Sequence, residues 1–120
     1  MIVSKELDTG WEVGVADVAT TKLFENERVA VWEMLLAPGE STGLHTHDRE
    51  YFFHVLEGST LRTSDGNGEP VGDFEFKTGS TNWISIEGDE VVLGNARAPA
   101  THDAKNLGST RYREILVEFK

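Results

Sequence analysis

Short apolar runs broken by Gly, Asn, Asp and Pro recur along the whole chain, the pattern of an all-β protein. Val29 to Leu36 (VAVWEMLL) predicts a strand that stops at Pro38-Gly39. Tyr51 to Leu56 (YFFHVL) predicts a second, ended by Gly58. Ser59 to Thr63 and Val71 to Phe76 flank Asp65-Gly66-Asn67-Gly68, a hairpin turn made of residues that tolerate positive φ. Trp83 to Ile86 and Glu90 to Leu93 follow, separated by Gly88-Asp89, and Tyr112 to Phe119 (YREILVEF) is the last. Only the short stretch Thr20 to Arg28 has a composition compatible with a helix. Short strands at this turn-punctuated spacing predict a barrel or jelly roll. Within the first strand Trp32, Met34 and Leu36 share a face that reads as core. Glu33 stands among Val29, Val31 and Leu35 on the other face, either lining a barrel as an acid or base or facing water at an edge.

The bulk numbers narrow the class. A chain of 120 residues suits one domain, so residues 1–120 are expected to form a single unit. Hydrophobic residues make up 38 %, and the 12 glycines bring the apolar share near the ~45–50 % of ordinary folded domains. There are 21 acidic and 11 basic residues, a net charge of −10, and no two basic residues are adjacent. A nucleic-acid or membrane binder needs clustered Lys and Arg, so neither partner is expected. Cysteine is absent, which excludes a disulfide framework, a thiolate zinc site and a cysteine nucleophile. Acidic side chains in residues 1–8 interrupt the apolar core that a signal peptide needs. No apolar stretch nears the ~20 residues of a spanning helix. A cytoplasmic protein is the resulting expectation.

Three of the four histidines carry the candidate chemistry. Around the first two the sequence reads P38-G-E-S-T-G-L-H45-T-H47-D-R-E50-Y51-F-F-H54-V-L-E-G58. On a strand, side chains at i and i+2 share a face about 6–7 Å apart. Two such imidazoles can converge on one ion at ~2.0–2.1 Å. The third lies far downstream in H102-D-A-K-N106, just before the last strand. The competing reading is three hydrogen-bonded or surface histidines in a metal-free barrel. His54 shares parity with Glu50 and Phe52 and is expected to face away from the site.

These residues resemble the two motifs of the cupin family. Gly39, five residues, His45, Thr46, His47 and the closing Gly58 resemble G-x5-H-x-H-x(3,4)-E-x6-G, and H102-x3-N106 resembles the end of P-x-G-x2-H-x3-N. The motif regions cover about residues 39–58 and 97–106, and within the family the chain is most similar to small single-domain cupins of β-alanine catabolism. The resemblance implies an RmlC-like double-stranded β-helix, a jelly-roll barrel, holding one divalent ion (iron, nickel, zinc or manganese) on His45, His47 and His102. It also implies a homodimer. The chain departs from the pattern at the family's glutamate. Counting back from Gly58, that position is Tyr51, and Glu50 comes one place early. A one-residue slip turns a side chain to the opposite face, so Glu50 reaches the ion only through a bulge. Tyr51 is therefore expected beside the site as proton donor or hydrogen-bond partner, the catalytic candidate. Arg97 and Pro99 replace the second motif's Pro and Gly, and Val91 to Ala100 is expected to form a longer loop over the barrel mouth.

Two functional classes stay open. One is a metal-dependent enzyme of oxygenase, isomerase or lyase type acting on a small anionic metabolite such as a carboxylate. The other is a non-catalytic cupin that binds a small molecule or a metal. Arg97, Lys105, Arg111 and Arg113 are candidates to bind a carboxylate, each with an ordinary solvated charge as the alternative. Trp83 is a candidate pocket wall or plain packing. Asn106 is expected to fix the turn after His102.

Overall fold

The computed structural model describes residues 19–120; residues 1–8, read above against a signal peptide, lie outside them. Eleven strands and no helix make up the described part. In chain order they are β1 (Thr21–Glu25), β2 (Val29–Leu36), β3 (His45–Thr46), β4 (Tyr51–Glu57), β5 (Ser59–Ser64), β6 (Pro70–Phe76), β7 (Thr81–Glu87), β8 (Glu90–Leu93), β9 (Ala96–Pro99), β10 (Thr101–Asn106) and β11 (Tyr112–Phe119). They form a seven-stranded sheet in the order β1-β2-β11-β4-β7-β8-β9 and a four-stranded sheet in the order β3-β10-β5-β6. No described helix is long and apolar enough to cross a membrane.

Three predicted strands match residue for residue: β2 (Val29–Leu36), β8 (Glu90–Leu93) and β11 (Tyr112–Phe119). Strands β4 (Tyr51–Glu57), β5 (Ser59–Ser64), β6 (Pro70–Phe76) and β7 (Thr81–Glu87) extend their predictions by one to three residues in total at their ends. Between β5 and β6, the Asp65 carboxylate accepts from the amides of Asn67 and Glu69, and Gly68 takes the positive φ of +81°.

The helix-compatible stretch is instead β1 (Thr21–Glu25), paired antiparallel with β2. A segment this short cannot sustain a helix alone, whereas β2 offers it an open edge. The turn is held by the Asn26 side chain, which accepts from the amides of Arg28 and Val29. The loop expected over Val91 to Ala100 is also corrected. Strand β8 turns at Gly94, φ +59°, into β9 (Ala96–Pro99), and the two pair as a hairpin. Gly94-Asn95 is a two-residue hairpin connection of the favoured chemistry, so missing Pro and Gly in the motif does not cost the segment its regular structure.

The core lies between the sheets. On β2 the face of Trp32, Met34 and Leu36 is buried as predicted, and beside it on the same sheet lie Leu116 of β11 and Tyr51, Phe53 and Val55 of β4, also buried. Gly58 lets the chain pass from β4 to β5, since a Cβ there would stand 2.4 Å from the Phe76 carbonyl oxygen. Glu33 is on the outer face, paired with Arg113 at 2.6 Å. Trp83 also faces outward, 51 % exposed and stacked with Phe52, so it does not line the pocket.

Asn106, at the end of β10 (Thr101–Asn106), is fully buried. Its amide donates to the carbonyls of Leu36 and Thr110, and its side-chain oxygen accepts from Ser59 Oγ and the Gly108 amide. It thus pins β10 to the end of β2 and to the turn into β11, a wider role than the single turn read from sequence. Truncating it strands several buried polar groups, each costing about 1–3 kcal/mol when unpaired. Asn106→Ala is expected to lower unfolding free energy by about 2–3 kcal/mol, with unchanged denaturant slope in urea titration.

Candidate metal centre

Strand β3 is only His45–Thr46, paired with β10 so that His45 faces His102 directly across the ladder. The His47 amide continues the pairing by donating to the Ala100 carbonyl at 2.9 Å. Residues i and i+2 of one strand and the partner of i on the next occupy one face, so His45, His47 and His102 point into the barrel together. All three are buried. Their ring centroids stand 4.8, 4.7 and 5.1 Å apart, and one nitrogen from each lies within 4.8 Å of the others.

Hydrogen bonds aim two of the rings. His45 Nδ1 donates to the Gly43 carbonyl at 2.9 Å, and His102 Nδ1 to the Pro99 carbonyl at 2.6 Å. A backbone carbonyl can only accept, so each of these rings carries its proton on Nδ1 and keeps the Nε2 lone pair free for a metal. His47 Nδ1 is buried with no hydrogen-bond partner among the described residues. Nothing else there competes for that imidazole.

Electrostatics agrees with this geometry. Burial, then the neighbouring His102, lowers the His45 pKa to about 4. Burial also pushes His47 well below the ordinary 6.5, helped by His45 and His102, and lowers His102 as well. Neutral imidazole is the ligating form. The donor set, its convergence and its protonation state all fit a divalent ion of the imidazole-binding kind.

Tyr51 lies against the site, its ring stacked on His47 at 4.3 Å between centroids with 19° between planes. Burial first, then the charges of Glu114 and Glu118, hold its phenol protonated far above neutrality. Glu50 is exposed, and β4 pairs regularly with β11 from Tyr51 to Val55, starting at Tyr51 opposite Glu118 and Ile84, the one register shift in that ladder coming only after Val55. No bulge turns Glu50 inward. His54 faces the other way, its Nδ1 at 2.7 Å from Thr81 Oγ1.

The histidines open onto a cavity of about 100 Å³ whose walls are mostly apolar, among them Met34, Phe53, Leu61, Phe76 and Leu116. The β8–β9 hairpin contributes Val91, Leu93 and Ala98 at one side, with Arg97 beside them. Arg97 is already paired with Glu87 and Glu90 at 2.8 and 3.2 Å. Arg111 is held by Glu57 at 2.6 Å, Arg113 by Glu33, and Lys105 is exposed. None of the four stands as a free cation inside the cavity.

Sequence reasoning missed a buried acid here. Glu114 of β11 lines the same cavity, 3 % exposed. Tyr112 donates its hydroxyl proton to Glu114 Oε1 at 2.5 Å. Burial pushes the Glu114 carboxyl up to about 7 despite that bond. The available signal was strand alternation, which groups Tyr112, Glu114, Leu116 and Glu118 on one face but does not say that this face is the inner one.

No protein-family model and no curated protein matches the chain. Solved structures do. A cupin domain from Bordetella pertussis is 24 % identical with a TM-score of 0.62, over 83 % of this chain and 90 % of that one. An RmlC-like cupin with a double-stranded β-helix fold from Methanocaldococcus jannaschii is 15 % identical with a TM-score of 0.54, over 99 % and 93 %. A polyketide cyclase from Streptomyces resistomycificus is 19 % identical with a TM-score of 0.55, over 82 % of this chain and 62 % of that one. With two stacked β-sheets enclosing a histidine-lined cavity, and with these neighbours, the chain has the cupin, RmlC-like double-stranded β-helix fold.

Proposed function

We propose that this protein is a metal-dependent cupin enzyme acting on a small anionic molecule, a carboxylate by preference. The observation that carries the reading is the convergence of three buried, neutral imidazoles on one cavity. A divalent ion held there would supply a Lewis acid with open coordination positions. Three neutral ligands leave its charge uncompensated, and an apolar cavity penalises unpaired charge, so an anionic partner is favoured. The protein's own residues do the rest. His45 and His102 are held in one tautomer by their carbonyl partners. Tyr51, protonated and flat against His47, is the group able to donate a hydrogen bond to a ligand.

Elemental analysis of untagged protein, followed by turnover assays across small carboxylic acids, tests this. About one ion per chain is expected, kept in Glu50→Gln and in Tyr51→Phe, with turnover lost only in the latter. Metal loss in Glu50→Gln would reverse the assignment of Tyr51 and Glu50. Metal and acid binding without turnover would favour the binding-module reading.

We also propose that two copies pair through the outer face of the seven-stranded sheet. Phe52, Trp83 and Phe119 cluster there with ring centroids 5.4–6.3 Å apart, Trp83 exposed and the other two half-buried, and outward apolar patches mark association surfaces. Trp83→Glu is expected to shift sedimentation from dimer to monomer; a wild-type monomer at assay concentration would end this proposal.

A further inference from the structure

Glu114 stands in a place where packing alone gives no reason for an acid. Its neighbours across the sheet are Met34 and Val55, and Leu116 follows it on the same face. A carboxyl buried in such surroundings costs free energy unless it is paired. No salt bridge reaches it among the described residues, and its chain neighbour Arg113 points to the opposite face, to Glu33. The Tyr112 hydroxyl is its one hydrogen-bond partner among those residues, and it occupies Oε1. Oε2 has none. Glu114 is also outside the cluster of nitrogens on His45, His47 and His102 that could share an ion, so it does not supply the missing family glutamate. The cavity wall thus carries a buried carboxyl apart from the histidine cluster; Tyr51, Thr63 and Arg97 are its other polar side chains, and the rest of the wall is apolar.

We infer that Glu114 is the specificity-determining residue of the cavity, binding a hydroxyl group on a short acid whose carboxylate lies at the histidine end. The inference rests on the carboxylate reading proposed above and names the other end of that ligand. A hydroxyl both donates and accepts, so it can bond the free oxygen whether Glu114 is ionised or neutral. With its carboxyl held up to about 7 by burial, both states occur near neutral pH. Tyr112 fixes the carboxyl's orientation through Oε1, leaving Oε2 for the ligand. A ligand lacking the hydroxyl would leave Oε2 unpaired in an apolar setting, which is how a site built for a hydroxyl rejects the analogue without one.

The test is calorimetric titration of the zinc-loaded full chain with propionate, butyrate and valerate, each against its counterpart bearing a terminal hydroxyl or a terminal amine. At the chain length that spans the cavity, the hydroxy acid is expected to bind about tenfold more tightly than the plain acid. Glu114→Leu and Glu114→Met are expected to erase that preference, the plain acid gaining affinity and the hydroxy acid losing it; Glu114→Gln, whose amide donates and accepts, should keep it. Equal affinity for plain and hydroxy acids at every length overturns the inference, and this comparison needs no variant to fold. A preference for the amine, or one that survives Glu114→Leu, overturns it too. Plain-acid binding that disappears in His47→Ala alongside a flat hydroxyl series sinks the Glu114 assignment alone. Absence of any acid binding removes the carboxylate reading and this inference with it.

Discussion

His47→Ala is expected to abolish tight binding of a divalent ion. Dialysed against a chelator, the wild type should keep about one ion per chain and the variant close to none, with affinity down about 100-fold or more. The reason is geometric: His45 and His102 face each other across β3 and β10, and His47 closes the triangle from the next inward position. Two imidazoles hold a divalent ion poorly, and no carboxylate lies within reach to replace the third among the described residues. His54→Ala is the control, since that ring bonds Thr81 on the other face, and it should leave metal content unchanged. The pH dependence is equally specific. A site of ordinary histidines loses metal as pH falls through about 6.5. Here burial lowers His45 to about 4 and depresses His47 and His102, so binding should persist at pH 5.5 and fail only nearer 4. Metal release centred near pH 6.5, followed by equilibrium dialysis, would contradict the neutral-site geometry. In the metal-free protein the same depressed pKa values make stability fall with acid. Unfolded histidines take up protons below about 6.5 that the folded ones refuse.

Replacing Glu114 by Gln should stabilise the metal-free protein in a pH-dependent way. The folded carboxyl titrates at about 7 against an ordinary 4.5. Below pH 4.5 it is protonated in both folded and unfolded chains, and it favours neither. As pH rises from 4.5 to 7 the unfolded chain releases this proton while the folded one retains it, so wild-type stability drains away across that window and levels off above it. The full difference corresponds to about 3 kcal/mol. Gln keeps the volume and an oxygen for Tyr112 but cannot ionise. Urea titrations should find the variant equal to wild type near pH 4 and more stable by up to about 3 kcal/mol at pH 8. Some slope should remain, because burial also raises Glu118, which accepts from Trp32 Nε1. Parallel pH profiles for wild type and variant would mean that Glu114 is not buried in the free protein.

The alternation of apolar residues and the turn residues between them sufficed to define most of the strands. Pro38-Gly39, Gly58, Asp65-Gly66-Asn67-Gly68 and Gly88-Asp89 are local conformational instructions: Val29–Leu36 stops just before the first and Glu90–Leu93 starts just after the last. The histidine site was legible for the same reason: H-x-H spacing fixes a shared face, and the resemblance of two motifs joins His102 to it. The count back from Gly58 likewise separated Tyr51 from Glu50, because strand parity admits no half-step. What pairing alone decides was not legible. Strand β1 owes its extended form to the edge of β2, β3 is two residues long, and β9 becomes a strand by folding back on β8. Strand β11 is the sharpest case. Its two faces are Tyr112, Glu114, Leu116, Glu118 and Arg113, Ile115, Val117, Phe119, and the second is richer in apolar side chains, yet the first is buried. Periodicity of two assigns residues to faces, while which face turns inward depends on the register with β2 and β4 and on where the second sheet lies. That choice places Glu114 in the cavity and leaves Phe119 outside beside Trp83 and Phe52, so the acid of the site and the apolar outer surface follow from tertiary packing.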